Sequence, residues 1–508
     1  MADDLDVVLL HVSKPRCLFP TFGLTSFINL MPFGLISLAS RACREGARTE
    51  IVHTGIERHY KRLAELPRYI RERNVRVVGI SLHWHHSTFD ALEIGRWIRD
   101  EVPGVPIVYG GMTASVFAEQ MLELPFVDYV VQGEGEEAFA ALVRSLLRGE
   151  GEAPDRIPNV WTRNGDGTPQ PPASRHTASA DELAGYDFSR FELVRGAEVL
   201  PYLGWTVPVN APWMAHLMGR ALVRPVTSYL SRGCMSDCPT CGGNRNCCQD
   251  VMDRKRIFPM PPAIIRDVFR KAKSFGFNIV GSSMGYGLSE EYFLELFDVV
   301  RREHLDLAWT IESPGIPPLS AVRSLKTATT GGAEVVISAD SGAERVRDIF
   351  RDAATYSNQE LIEWLEALDA ESIPVHLFFS QNLPLDAEMA ELHWVETDAL
   401  KQRLKRFKKC TTYNMSLELD PASRLFARPG DFECEVTWQT LRDYYEAHRS
   451  AANGNGYTIQ HPFPRQLPFM DNRGFQVGVK VIQGLARLER GVRETFTGRS
   501  SQEPYASL

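Results

Sequence analysis

The sequence has no run approaching the ~20 uninterrupted apolar residues that a helix needs to cross a bilayer, so no membrane-spanning helix and no membrane partner are expected. It has no excess of positive charge. Its 56 Lys and Arg against 64 Asp and Glu give a formal net charge of −8, which weighs against a nucleic-acid binder, whose surface must meet phosphates. The opening residues Met-Ala-Asp-Asp-Leu-Asp lack the basic start of a signal peptide. The cytoplasm is therefore the expected location, where the nine cysteines read as thiols rather than a disulfide framework. There is no internal repeat at solenoid spacing, and no G-x-G-x-x-G follows the first apolar strand, which weakens a dinucleotide-binding reading. What is present is a soluble composition, 44% hydrophobic and 24% charged over 508 residues, long enough for two or three domains.

Strand and helix patterns alternate through residues 1–150. Apolar strands are expected at Val7–His11, Glu50–Thr54, Val75–Leu82, Pro106–Tyr109 and Phe126–Val131, and a helix over Pro32–Glu45 stops at Gly46. Continuous Val/Ile runs fit a parallel sheet covered on both faces, so this is an α/β, doubly wound, Rossmann-like domain with its ligand at the carboxyl ends of the strands. Residues 151–223 break the rhythm with Pro158, Gly165, Gly167, Pro169, Pro171 and Pro172, and read as a linker with little core of its own. Tyr202, Trp205 and Trp213 within it are either pocket-lining or anchoring aromatics. Residues 224–428 resume the alternation. Six strand-like runs (Val226–Leu230, Asn278–Gly281, Leu307–Ile311, Glu334–Ser338, Pro374–Phe379, Tyr413–Leu417) are separated by amphipathic helices such as Ser289–Arg302 and Asn358–Ala370. Together they predict a (β/α)6 partial TIM barrel whose chemistry lies at the strand C-termini. Residues 429–508 read as a small helical C-terminal region, notably Phe475–Thr495, covering the barrel mouth or carrying specificity. The basic run from Lys401 to Lys409 reads as a solvated helix face.

The first barrel strand runs into Ser231-Arg232-Gly233-Cys234-Met235-Ser236-Asp237-Cys238-Pro239-Thr240-Cys241-Gly242-Gly243, a C-x-x-x-C-x-x-C spacing. Soft thiolates this close on a glycine-rich loop favour an iron–sulfur cluster or zinc. Three cysteines on a four-iron cluster leave one iron open, whereas a zinc site would need completion by Cys247 or Cys248.

The loop and its place after the first of six β/α units resemble the radical S-adenosylmethionine (SAM) superfamily. That resemblance implies a [4Fe–4S] cluster on Cys234, Cys238 and Cys241, with SAM bound to the open iron and cleaved to a 5′-deoxyadenosyl radical. Thr240 stands where many members carry an aromatic residue packing near adenine. Further SAM contacts are implied at Ser282, in the small-residue segment after the second strand, and at Glu312, Ser338 and Asp340, facing ribose or amino group. Arg351 would meet the carboxylate as a fork donor.

The strand ends of the N-terminal domain carry Ser81, Val108-Tyr109-Gly110-Gly111 and Val131-Gln132-Gly133-Glu134-Gly135-Glu136. Small residues there leave space for a bulky ligand. With the cysteine loop, they resemble the cobalamin-binding domain of cobalamin-dependent radical SAM enzymes. Within that resemblance Ser81, Gly110 and Gly111 line the nucleotide tail, and Gly133 and Glu134 belong to the turn that closes the pocket. The D-x-H-x-x-G motif of other cobalamin domains is replaced by His11-Val12-Ser13-Lys14-Pro15, so no lower axial histidine is assigned. His83, His85 and His86 read as helix-cap or pocket-lining residues.

The resemblance implies a methyltransferase. Cobalamin takes a methyl group from one SAM, a second SAM yields the radical, and an unactivated carbon of a small-molecule, secondary-metabolite-like substrate receives the methyl group. An external electron donor such as flavodoxin or ferredoxin would reduce the cluster. No side chain is assigned a catalytic step. The alternatives are a non-methylating rearrangement, ring contraction or cyclisation with the same cofactors, and a non-catalytic corrinoid or metal sensor. A methylthiotransferase is disfavoured, because the N-terminal region has only Cys17 and Cys43 for a second cluster.

Overall fold

A computed structural model describes residues 4–13, 30–203, 224–381, 383–415, 417, 419–432 and 436–452. Trp205, Trp213, Cys17, Cys434 and the segment Phe475–Thr495 lie outside the described residues.

The N-terminal strands are β1 (Val7–His11), β2 (Thr49–His53), β3 (Val77–Ser81), β4 (Ile107–Gly110) and β5 (Tyr129–Val131). They pair in parallel in the order β2-β1-β3-β4-β5. The order reverses between β1 and β3, the position at which open α/β sheets leave a crevice at their carboxyl edge. Val7, Leu9, Val77 and Val108 face one apolar core, and Val8, Leu10, Val78 and Ile107 the other. This is why the strands read as unbroken apolar runs rather than alternating ones.

Residues 151–203 are not a bare linker. β6 (Val160–Arg163) pairs antiparallel with β5, and β7 (Pro169–Gln170) pairs antiparallel with β6, extending the sheet to seven strands. Ile157, Leu183, Phe191, Val194 and Leu200 are buried in the core shared with the barrel helices. The Pro/Gly punctuation marks real turns, but between them single large apolar side chains are spent on burial without forming a periodic run.

The second sheet holds β8 (Pro225–Tyr229), β11 (Ile279–Ser283), β12 (Ala308–Ser313), β13 (Ala333–Asp340), β14 (Val375–Ser380) and β15 (Cys410–Met415). All are parallel and in sequential order. This is the six-stranded partial barrel. Its outer layer is held by Trp309, whose ring packs edge-on against Phe269 and Phe297 of the helices Pro262–Ser274 and Glu290–Arg301. A short hairpin of β9 (Ser231–Arg232) and β10 (Phe258–Pro259) brackets the cysteine loop. Arg403, Lys405, Arg406, Lys408 and Lys409 of the basic run are exposed, with Arg406 paired to Glu366, whereas Lys401 is half-buried with its Nζ 4.9 Å from the centre of the Phe379 ring.

The described C-terminal helix Leu441–Ala452 does not cover the barrel mouth. It packs on the helix Thr88–Glu101 of the N-terminal domain, where Tyr444 joins that domain's core and the Tyr445 hydroxyl donates to Glu93 at 2.8 Å. His448 lies 3.3 Å from His85, so His85 serves this contact.

The two halves meet through buried charge. The Glu134 carboxylate is an ion-pair partner of both Arg254 and Arg232, and it accepts from the Ala178 backbone N–H at 2.8 Å. Arg232 also pairs with Glu136, to which the Ser37 hydroxyl donates at 3.0 Å. Burial would push the Glu136 carboxyl up, but Arg232 beside it holds it below its usual value. Glu134 thus joins the N-terminal domain, Ala178 and the flank of the cysteine loop.

Two predictions follow from these buried groups. Glu134→Ala leaves Arg254, only 1% exposed at its side chain, without its carboxylate. A loss of about 3–5 kcal/mol in denaturant unfolding is expected, and a loss below ~1 kcal/mol contradicts the role. His53 is fully buried as a neutral ring: Nδ1 accepts from the Gly55 N–H at 3.1 Å, and Nε2 donates to the Leu30 carbonyl at 3.3 Å. Burial, reinforced by neighbouring His11, lowers its pKa well below the usual histidine value. The unfolded chain therefore binds a proton first, so stability is complete above about pH 6.5 and falls as pH drops below it. His53→Gln should flatten the stability difference between about pH 7.5 and about pH 5.5; an unchanged slope contradicts this.

Candidate functional site

The cysteine loop is shaped by close backbone approach. Gly233 has a φ of +86°, and a Cβ on Gly285 would sit 2.2 Å from the Gly233 carbonyl oxygen, so the turn after β11 lies directly on the loop. There the Met235 N–H donates to the Tyr286 carbonyl at 2.9 Å, and the Gly285 N–H to the Ser231 hydroxyl at 3.0 Å. On the other side Asn244 caps the helix Arg245–Asp250 and donates to the Cys238 carbonyl at 3.0 Å. Asp237 is held by Asn246 at 3.0 Å and by Arg424.

Each of the three sulfurs faces hydrogen-bond donors. Cys234 Sγ accepts from the Ser236 and Tyr286 N–H groups at 3.4 and 3.2 Å, Cys241 Sγ from the Gly243 N–H at 3.3 Å, and Cys238 Sγ from Arg351 Nη1 at 3.4 Å. Donors aimed at sulfur are the environment of a ligating thiolate. Without a ligand, burial pushes the Cys234 thiol up, and burial with Cys238 nearby pushes Cys241 up to about 12, so cluster assembly must release protons. Among the described residues no group of three His, Cys, Asp or Glu side chains is placed for a single metal ion; a four-iron cluster asks instead for thiolates spread around it. Cys247 and Cys248 are buried thiols, Cys247 in contact with Met112 Sδ at 3.4 Å and Cys248 with the Gly243 carbonyl at 3.6 Å.

The carboxyl edge of the first sheet approaches the same region. Ser81 lies beside Gly110 in register, and Gly110 beside Val131. Gly111 has a φ of +103°, and a Cβ there would meet the His83 nitrogen at 2.7 Å. Gly133, with a φ of +76°, faces Met252 of the segment following the cysteine loop. Ser115, which sequence reading missed, staples these turns: its hydroxyl donates to the Gly111 carbonyl at 2.8 Å and accepts from the Gly133 N–H at 2.9 Å. His83, Tyr229 and Cys241 keep accessible surface. Burial lowers His83 to about 4. The small residues Ser81, Gly110 and Gly111 at these strand ends fit a bulky cofactor.

In the barrel, strand alternation separates the expected SAM contacts. Ser282 points the wrong way: its hydroxyl bonds Ser228 at 2.8 Å and accepts from Trp309 Nε1 at 2.9 Å in the wall beneath the helices. Ser283 is the residue on the inner face, donating to Glu312 at 3.0 Å. Glu312 is exposed toward the interior and Ser338 half-buried. Asp340 accepts from the Ser380 hydroxyl at 2.8 Å and pairs with Arg351 at 2.7 Å. A separate polar crevice of about 230 Å³, lined by Glu57, Arg62, Tyr69 and Arg195 among others, shares no residue with either strand-end region; its Arg62 and Arg195 already pair with Glu57.

Comparison with known proteins identifies the two domains and the fold. A family model described as the B12 binding domain matches residues 29–143, and one described as the Radical SAM superfamily matches residues 228–385. No curated protein matches the sequence. Among solved structures, the radical S-adenosylmethionine methyltransferase TsrM from Kitasatospora setae, with tryptophan substrate and a SAM analogue (aza-SAM) bound, is similar in fold. It is 15% identical with a TM-score of 0.57, over 82% of this chain and 74% of that one. The cobalamin-dependent S-adenosylmethionine radical enzyme OxsB, with aqua-cobalamin and S-adenosylmethionine bound, is 12% identical with a TM-score of 0.58, over 95% of this chain and 72% of that one. With a B12-binding domain followed by a radical SAM domain, the chain belongs to the cobalamin-dependent radical SAM enzymes.

Proposed function

We propose that this chain is a methyltransferase moving a methyl group from SAM, by way of cobalamin, to an unactivated carbon of a small molecule. The observation that carries the reading is convergence. The segment after the cysteine loop touches the N-terminal strand ends, Cys247 on Met112 and Met252 on Gly133, so the two cofactor regions border one space. When bound, the cofactors supply a radical source and a methyl carrier. The chain's own residues hold and orient. Cys234, Cys238 and Cys241 are the thiolates for a [4Fe–4S] cluster. Ser81, Gly110, Gly111 and Gly133 edge the cobalamin space, and Ser283, Glu312 and Ser338 present polar groups to SAM, while Asp340 is held by Ser380 and Arg351. TsrM, a methyltransferase with tryptophan as its bound substrate, supports a small-molecule substrate. The accessible surface of Cys241 is compatible with reduction by a flavodoxin or ferredoxin.

A second reading keeps both cofactors without methyl transfer, as in a rearrangement, ring contraction or cyclisation. The similarity to OxsB, a cobalamin-dependent S-adenosylmethionine radical enzyme, over 95% of this chain supports keeping both cofactors. The test is anaerobic turnover of the loaded enzyme with methyl-labelled SAM and small-molecule extracts. A product carrying one labelled methyl group, with S-adenosylhomocysteine and 5′-deoxyadenosine formed together, is expected. 5′-Deoxyadenosine with no label transfer points to the second reading, and no SAM cleavage at all points to a sensor.

A further inference from the structure

Beyond β13, two consecutive residues grip the cysteine loop from across the barrel mouth. Arg351 follows the helix Glu344–Phe350, and its side chain is 15% exposed. Its Nη1 donates to Cys238 Sγ at 3.4 Å, while its Nε lies 2.7 Å from an Asp340 carboxylate oxygen. Asp340 is itself fixed in an unusual conformation. It has a φ of +57°, uncommon for a non-glycine residue, at a register shift between β13 and β14, and the Ser380 hydroxyl donates to its other oxygen. Such a bulge re-aims a side chain at a strand end. Asp352 completes the grip: one of its oxygens accepts from both the Ser236 hydroxyl and the Asp237 N–H at 2.7 Å, and its other oxygen lies 3.8 Å from Arg245.

The donors to the three sulfurs are not equivalent. Cys234 and Cys241 receive neutral backbone N–H groups. The Ser236 hydroxyl is 3.1 Å from Cys238 Sγ, but its single proton goes to the Asp352 carboxylate. Cys238 therefore takes its hydrogen bond from a guanidinium, a fixed positive charge.

We propose that Arg351 is a positioning residue of the iron–sulfur cluster, holding Cys238 and favouring the reduced cluster, rather than the SAM carboxylate anchor that its sequence position implies. Adding one electron to the cluster adds one negative charge, and a buried cation hydrogen-bonded to a ligand sulfur stabilises that state over the oxidised one. Asp340 and Ser380 keep the guanidinium aimed at sulfur. Asp352 sets the loop against it.

The test is an EPR-monitored redox titration of the anaerobically reconstituted enzyme, without SAM, cobalamin or substrate. Failure of the methyl-transfer reading therefore leaves it untouched. For Arg351→Gln, with iron content retained, the ratio of reduced to oxidised cluster at the wild-type midpoint should fall about tenfold, or ~59 mV for a one-electron couple. Arg351→Lys, which keeps the charge, should return to within about threefold of wild type. An R351Q cluster that titrates with wild type overturns the proposal, and SAM affinity lost in that same variant would restore the carboxylate role. Should R351Q fail to hold iron, the wild-type enzyme grown with arginine 15N-labelled at the guanidinium decides. A 15N hyperfine coupling to the reduced cluster is expected, and its absence overturns the proposal.

Discussion

The buried pairing of Arg254 and Arg232 with Glu134 and Glu136 is the contact on which the composite site depends. The carboxylates leave the last parallel strand of the N-terminal sheet, and the guanidiniums flank the cysteine loop. Neither half could carry its charges into this joint alone, because an unpaired buried ion is costly. Together they place the carboxyl edge of one parallel sheet against the loop at the carboxyl edge of another. Residues 178–188 close the joint from the side, with the Ala178 carbonyl accepting from Arg254 at 2.9 Å and the Tyr186 and Phe188 rings near Arg232.

From that joint the loop's shape follows by steric exclusion. Gly285 admits the Gly233 carbonyl, and the Tyr286 N–H thereby reaches Cys234. Gly111 and Gly133 allow the N-terminal turns to lie flat against His83 and Met252. The backbone so placed gives Cys234 and Cys241 neutral donors, while the barrel's far side contributes the one charged donor, to Cys238. The fold thus supplies thiolate stabilisation from three separate segments, which a free peptide carrying the same spacing would lack.

Much of this was legible in the sequence where local pattern decides. β1 and the helix Asn358–Ala370 fall where apolar periodicity puts them, and the cysteine spacing after a strand marked the loop. What stayed hidden depends on partners distant in sequence. The parity of β11, which sends Ser282 into the wall and Ser283 inward, becomes visible only with Trp309 beside it. The pairing of Glu134 left no local trace because Arg254 lies 120 positions away. β6 and β7 were masked by turn residues, and the docking of Leu441–Ala452 on the N-terminal domain leaves no trace in local composition. Asp352 and Ser115 act through pairs of hydrogen bonds to loops, a role without a sequence signature.

The central claim is that one chain holds both a four-iron cluster and a corrinoid. The most direct measurement is the iron and cobalt content of protein purified without oxygen after expression with corrinoid supplied. The account predicts about four irons and about one cobalt per chain. Iron without cobalt would contradict the cobalamin half of the account, and zinc in place of iron would contradict the cluster itself.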